Sequence, residues 1–220
     1  MSDTDTADCP ADKRRHAAGE DPKKRDQILN GAWRVFMDQG FDAASMNSIC
    51  KAAGVSKGTI YVYFQNKEDL FVALVEKKRQ AFFEGIGARL TGAGSIEAGL
   101  MAYATNLGEL MTSDDVIRAQ RIVIGVVERM PELGQRFFDS GARHFLTGLS
   151  SFLRSETAAG RLDVPDPDLA SQQFVELATA GLWRQRLFGR QNAPSSPDDI
   201  AHVAREAVRV FLAAYRPAPR

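Results

Sequence analysis

The stretch Phe41–Phe71, FDAASMNSICKAAGVSKGTIYVYFQNKEDLF, is the most informative part of this 220-residue chain. It divides at Ala53-Gly54-Val55-Ser56 into two short helical segments. Ser45 caps the first, Met46 to Ala53, which turns Ile49 and Ala53 inward. Gly54 supplies the left-handed backbone that a tight helix end needs. Ser56 then offers a hydroxyl to the orphan N–H groups of the next segment, which runs to about Phe64. Two short helices around such a turn form a helix-turn-helix, whose second helix lies in the DNA major groove.

The outward residues of that second helix suit the groove. Lys57 and Thr59 sit in the first turn, where base edges are reached, and Gly58 permits close backbone approach. Tyr61 and Tyr63 carry hydroxyls able to bond phosphates. Lys67 opens the following helix and adds a positive charge beside helix-terminal N–H groups. Ile60 and Phe64, four apart, hold the helix to a core. Unrelated helical hairpins share this geometry. The composition separates them, because two tyrosines, a lysine and a glycine on one short helix pack poorly and bind phosphate well.

Upstream, Asp21 before Pro22 starts a helix with Ile28, Ala32, Val35 and Phe36 at helical spacing, and Gly40 stops it near Gln39. Downstream, Asn66 breaks the chain, and a long helix from Lys67 to about Leu90 carries Leu70, Phe71, Leu74, Phe82, Phe83 and Ile86. Further helices are expected at about 95–112, 114–130, 131–159, 168–188 and 197–215, punctuated by Pro131, Gly160, Pro165, Gly189 and Pro197. No segment alternates as a strand does, so the fold class is all-α. The expected organisation is a disordered tail at 1–21, a helix-turn-helix domain at 22–68, a linking helix at 69–90 and a helical domain at 91–220.

Net charge is zero, yet it is unevenly spread. Residues 1–12 carry four acids and no base, whereas residues 13–90 carry 14 Lys/Arg against 9 Asp/Glu, and all eight lysines lie at or before Lys78. The basic excess falls on the helix-turn-helix third, as DNA contact requires. The two cysteines, Cys9 and Cys50, and three scattered histidines give neither a disulfide framework nor metal-ligand spacing, and no cofactor is indicated. No nucleophile–base pair or phosphate loop marks an enzyme. No apolar run is long enough to span a membrane and no secretory signal stands at the N-terminus, so the expected location is cytoplasmic.

Ala52–Leu70, AAGVSKGTIYVYFQNKEDL, closely resembles the most recognisable stretch of the TetR/AcrR family of regulators. The resemblance implies a three-helix DNA-binding domain, a helical ligand-binding and dimerisation domain, and a homodimer on double-stranded DNA. It implies that Ser56, Lys57, Gly58 and Thr59 lie against bases and nearby phosphates. Tyr61 would meet a base methyl or phosphate, Tyr63 and Lys67 would clamp phosphates, and Ser45 would touch the DNA backbone as well as cap its helix. Val62 departs from the larger aromatic or basic residue often found there, which leaves at most an apolar contact. The runs Glu128–Gly141, ERMPELGQRFFDSG, and Ala158–Phe174, AAGRLDVPDPDLASQQF, look like the AefR-like subgroup of C-terminal domains.

The last helix is apolar round most of its circumference, which requires burial on most faces. Its stripe Ala204, Val208 and Phe211, with Phe174, Leu177 and Gly181 of the preceding helix, is the expected four-helix dimer interface. Packing within its own domain is the alternative. The family's ligand site lies inside the C-terminal bundle, where Met101, Tyr103, Phe137, Phe145 and Trp183 are candidate walls for a small apolar or amphipathic effector. The functional expectation is a repressor released from an inverted-repeat operator by that effector. The alternative is a regulator that binds DNA without one.

Overall fold

The computed structural model describes residues 19, 21–77, 90 and 94–217, without the side chains of residues 140–145. The expected tail, the stretch of the linking helix with Phe82, Phe83 and Ile86, and the side chain of Phe145 lie outside the described residues. Among the described residues every regular element is a helix: α1 (Pro22–Ala43), α2 (Met46–Ala53), α3 (Lys57–Tyr63), α4 (67–77), α5 (Ile96–Thr112), α6 (Asp114–Val126), α7 (Pro131–Ala158), α8 (Pro167–Ala178), α9 (Trp183–Leu187) and α10 (Pro197–Tyr215).

The helix starts follow from local chemistry. The Asp21 carboxylate accepts from the backbone N–H of Lys23 at 2.9 Å and of Lys24 at 3.3 Å, with Pro22 at the first helical position. Ser95, Ser113, Asp166 and Ser196 cap α5, α6, α8 and α10 in the same way. At Gly40 the backbone swings to φ 77°, ψ 172°, and one short helical turn follows before α1 ends at Ala43. The break therefore falls at the glycine, while helical geometry resumes beyond it.

One long helix over 168–188 is not what forms. The chain leaves α8 at Thr179, whose hydroxyl donates to the Val175 carbonyl at 2.9 Å. Gly181 turns at φ 73°, and α9 starts afresh at Trp183. A hydroxyl bonding back to the last turn, followed by a glycine in the left-handed region, ends a helix that apolar spacing alone would continue.

Two cores result. The first joins α1, α2, α3 and α4 around Ile28, Leu29, Phe36, Ile49, Ile60, Leu70 and Phe71. In it Phe36, Phe41 and Phe71 form a ring cluster with centroids 5.3–5.6 Å apart. The second joins α5, α7, α8 and α10 around Leu100, Leu107, Leu153, Phe174 and Phe211. Helix α6 connects them, because Ala119, Val123 and Val126 are buried in the first core. Exposed ion pairs Arg129–Asp42 and Arg136–Asp69, both 2.8 Å, tie the start of α7 and the turn before it to α1 and α4. Each is worth under about 1 kcal/mol, so the packing of α6 is the stronger link.

Candidate nucleic-acid interface and internal cavity

The helix-turn-helix is fixed by reciprocal caps. Ser45 Oγ accepts from the Ser48 N–H at 3.0 Å, and Ser48 Oγ accepts from the Ser45 N–H at 3.0 Å. Gly54 closes α2 at φ 65°, ψ 39°, its N–H donating to the Cys50 and Lys51 carbonyls. Ser56 Oγ accepts from the Thr59 N–H at 3.0 Å and lies 2.8 Å from Thr59 Oγ1. The hydroxyls of Ser45, Ser56 and Thr59 thus shape the motif. Cys50 is buried in the core, as a small packing residue would be.

Three α1 residues that sequence reading missed complete the motif. Gln27 Nε2 donates to the Ala53 carbonyl at 2.7 Å, and the Arg34 guanidinium donates to the Ala52 carbonyl. Both satisfy carbonyls at the end of α2 that a helix leaves open. Gly31 lets α1 and α2 touch, for a Cβ there would stand 2.6 Å from the Cα of Ala53. A glycine inside an otherwise sound helix was the available signal.

Helix α3 divides as its pattern implies. Ile60 is buried, and Phe64 after it too, while Lys57, Gly58, Tyr61 and Val62 face outward. Tyr61 is 52% exposed and Val62 51%, side by side on the open face. Tyr63 is half-buried against the first core. Lys67 differs from expectation. Its ammonium donates to the carbonyls of Phe41 at 2.9 Å and of Asp42 and Ala44 at 3.3 Å, and sits 4.6 Å from the Phe41 ring centroid. Three acceptors use its three donors, so here it straps α4 to the end of α1, where a cation also meets the negative helix terminus.

Helices α5 to α9 line a cavity of about 750 Å³ that opens to the surface at Ile124 and Phe138. Phe137 and Trp183 line it. Met101 and Tyr103 do not: they pack in the second core, Tyr103 against Phe174 at 6.1 Å, and burial pushes the Tyr103 phenol up. Tyr103 belongs to the buried face of α5 with Leu100, Ala104 and Leu107, and that face turns to α8 and α10. The α6 residues Val116, Gln120, Val123 and Ile124 form another wall. Phe137 also borders a smaller cavity of about 230 Å³ that reaches Trp33 on α1. Nearby arginines are engaged. Arg186 is buried, donating to Asp114 and to the Thr112 carbonyl at 3.1 Å, and Arg121 donates to the Leu187 carbonyl at 2.9 Å. Among the described residues no group of His, Cys, Asp and Glu is placed to hold a metal, and no helix is long and apolar enough to cross a membrane.

Residues 28–74 match the model of bacterial regulatory proteins of the tetR family, and residues 98–217 match the AefR-like transcriptional repressor C-terminal domain, which by itself covers more than half of the chain. The chain belongs to the TetR family. Members of this family are DNA-binding transcriptional regulators and not enzymes. A putative TetR-family regulator from Mesorhizobium loti is similar over 89% of this chain and 98% of its own, with TM-score 0.79 and 26% identity. The flavonoid-responsive regulator FrrA is 30% identical, with TM-score 0.75, over 90% of this chain and 99% of its own. The fatty acid metabolism regulator protein of Bacillus subtilis is 41% identical over 58 residues, 26% of this chain. That match spans 30% of the Bacillus protein, so it speaks for one segment alone.

Within this TetR-family chain the expected dimer stripe needs correction. Phe174, Ala204, Val208 and Phe211 are buried in the second core of their own subunit. Phe174 and Phe211 meet edge to face at 5.0 Å. Leu177 packs at the edge of that core, and Gly181 is exposed. The apolar surface left open on α8 and α10 lies beside that stripe, with Leu169 49% exposed and Val210 40% exposed, next to Leu177, Gly181 and Ala214.

Proposed function

We propose that this protein is a homodimeric, sequence-specific repressor that binds an inverted-repeat operator and is released by a small molecule held in the α5–α9 cavity. The observation that carries the DNA half is the division of α3. Ile60 and Phe64 anchor it, leaving Lys57, Gly58, Tyr61 and Val62 exposed. Lys57 and Tyr61 reach bases and phosphates, Val62 offers an apolar edge to a thymine methyl, and Gly58 lets the backbone approach. Ser45, Ser56, Thr59 and Tyr63 hold that face in place and border the phosphates. The outer surface of α8 and α10, with Leu169, Leu177, Gly181, Val210 and Ala214, joins two subunits in a four-helix contact.

The release half is supported by α6. It buries Ala119, Val123 and Val126 in the DNA-binding core and turns Val116, Gln120 and Ile124 to the cavity. A molecule preferring one position of α6 thereby changes the orientation of α1 to α4, and the shift in operator affinity equals its preference between the two states. The name of FrrA, a flavonoid-responsive relative, accords with a responsive C-terminal domain. The test is selection of bound fragments from random-sequence DNA at two salt concentrations. An inverted repeat bound far above bulk DNA supports the reading, and salt-sensitive binding without sequence preference refutes it.

A further inference from the structure

The chemistry of the cavity wall is more specific than its shape, and its use here rests on the reading that the cavity receives a small molecule. Most of the wall is aliphatic or aromatic, including Val116, Val123, Phe137 and Trp183. One polar group stands out. Gln120 lines the cavity, and its Oε1 is buried without a hydrogen-bond partner. A carboxamide oxygen only accepts, so only a donor satisfies it, and native structures seldom leave such an atom unpaired.

The other polar lining groups do different work. Gln172 is exposed, and Glu176, well exposed at the rim, is paired with Arg184 at 2.9 Å. No Lys, Arg or His is among the described lining residues. Arg121 and Arg186 of the adjoining helices donate to carbonyls and, in the case of Arg186, to Asp114. Among the described lining residues a carboxylate or phosphate would lose its water and gain no cation, and an ammonium would find its one carboxylate already paired. A volume of about 750 Å³ accommodates a molecule of two or three rings.

We infer that the effector is an uncharged, largely apolar molecule carrying a hydrogen-bond donor of the phenol type, which donates to Gln120 Oε1.

The chain has two tryptophans, and Trp183 alone of them lines this cavity. In the Trp33→Phe variant of the full chain, fluorescence therefore reports Trp183 only. Three biphenyl probes would be titrated: 4-phenylphenol, its methyl ether 4-methoxybiphenyl, and biphenyl-4-carboxylate. The phenol is expected to bind about ten-fold more tightly than the ether, the worth of one buried hydrogen bond, and the carboxylate more weakly than both. Gln120→Leu is expected to cancel the advantage of the phenol while the ether binds as before, which also shows that the variant folds. Equal binding of phenol and ether to the Gln120 protein, or tightest binding of the carboxylate, overturns the inferred effector class and leaves the cavity reading standing. A phenol advantage that survives Gln120→Leu overturns the role of Gln120. If none of the three alters Trp183 fluorescence, the cavity reading fails and the inference with it.

Discussion

Replacing Gly31 with alanine would drive a methyl group into the backbone of α2. The added Cβ would lie 2.6 Å from the N, Cα and Cβ of Ala53. Carbon atoms in contact settle at roughly 3.5–4.0 Å, so α1 and α2 must part by about 1 Å at this point. The contact atoms belong to backbone or to a side chain of one carbon, so no rotamer relieves them. Separation would also stretch the 2.7 Å bond from Gln27 to the Ala53 carbonyl. Overpacking of this kind costs about 1–3 kcal/mol, partly offset by the gain of about 0.5–1 kcal/mol for removing a glycine from a helix. The expected net loss is roughly 1–2 kcal/mol, and each kcal/mol lowers Tm by roughly 2–4 °C in a chain of this size. Gly125 on α6 is the matched control, since a Cβ there meets nothing within 4 Å. Gly125→Ala should be neutral or stabilising by up to about 1 kcal/mol. Thermal unfolding by circular dichroism, with operator titration of each variant, decides the matter. Gly31→Ala matching Gly125→Ala in Tm and retaining full operator affinity would refute the close approach of α1 to α2.

Lys57→Ala should weaken operator binding by about 1–3 kcal/mol and lower the slope of log affinity against log salt by about 1, with Tm unchanged. Lys67→Met should behave in the opposite way, because its three carbonyl partners make it a strap. Tm should fall with a loss of about 1.5–3 kcal/mol, and the salt slope should stay where it was. Val210→Arg on the open face of α10 should convert dimer to monomer in light scattering after size exclusion, without loss of helical signal. Hydrogen bonding from Arg161, at 2.6 and 2.9 Å, holds the Glu156 carboxyl below its ordinary value. Its contribution to stability is complete above that ordinary value and is lost as pH falls through the lowered one. Glu156→Gln should therefore flatten the fall of Tm with acid over that window.

Local chemistry made most of the fold legible. Asp21-Pro22, Ser45, Gly54 and Ser56 act within a few residues of themselves, so their caps are written in the sequence. The anchoring of α3 by Ile60 and Phe64 is equally local. What stayed hidden depends on partners distant in sequence. The acceptors of Lys67 lie 23 to 26 residues upstream, so a charge at a helix start looked free for phosphate. Gln27 and Ala53 stand 26 apart, and nothing local marks them as a pair. The stripe of Val208 and Phe211 announces burial, but periodicity does not say whether the cover is the same subunit or another. The same ambiguity makes Met101 and Tyr103 look like cavity walls, and Gln120 escapes notice because a glutamine on a helix is usually solvated.

If two copies of α3 read one face of an operator through the major groove, guanines there must be shielded. Dimethyl sulfate protection on the selected site tests this, because the reagent attacks guanine N7, which faces that groove. Two protected patches related by the inverted repeat are expected, centred about 34 Å apart, or one helical turn. Lys57→Ala is expected to weaken both patches together. Absence of N7 protection on a tightly bound site, or protection without a two-fold pattern, would contradict groove reading by paired α3 helices.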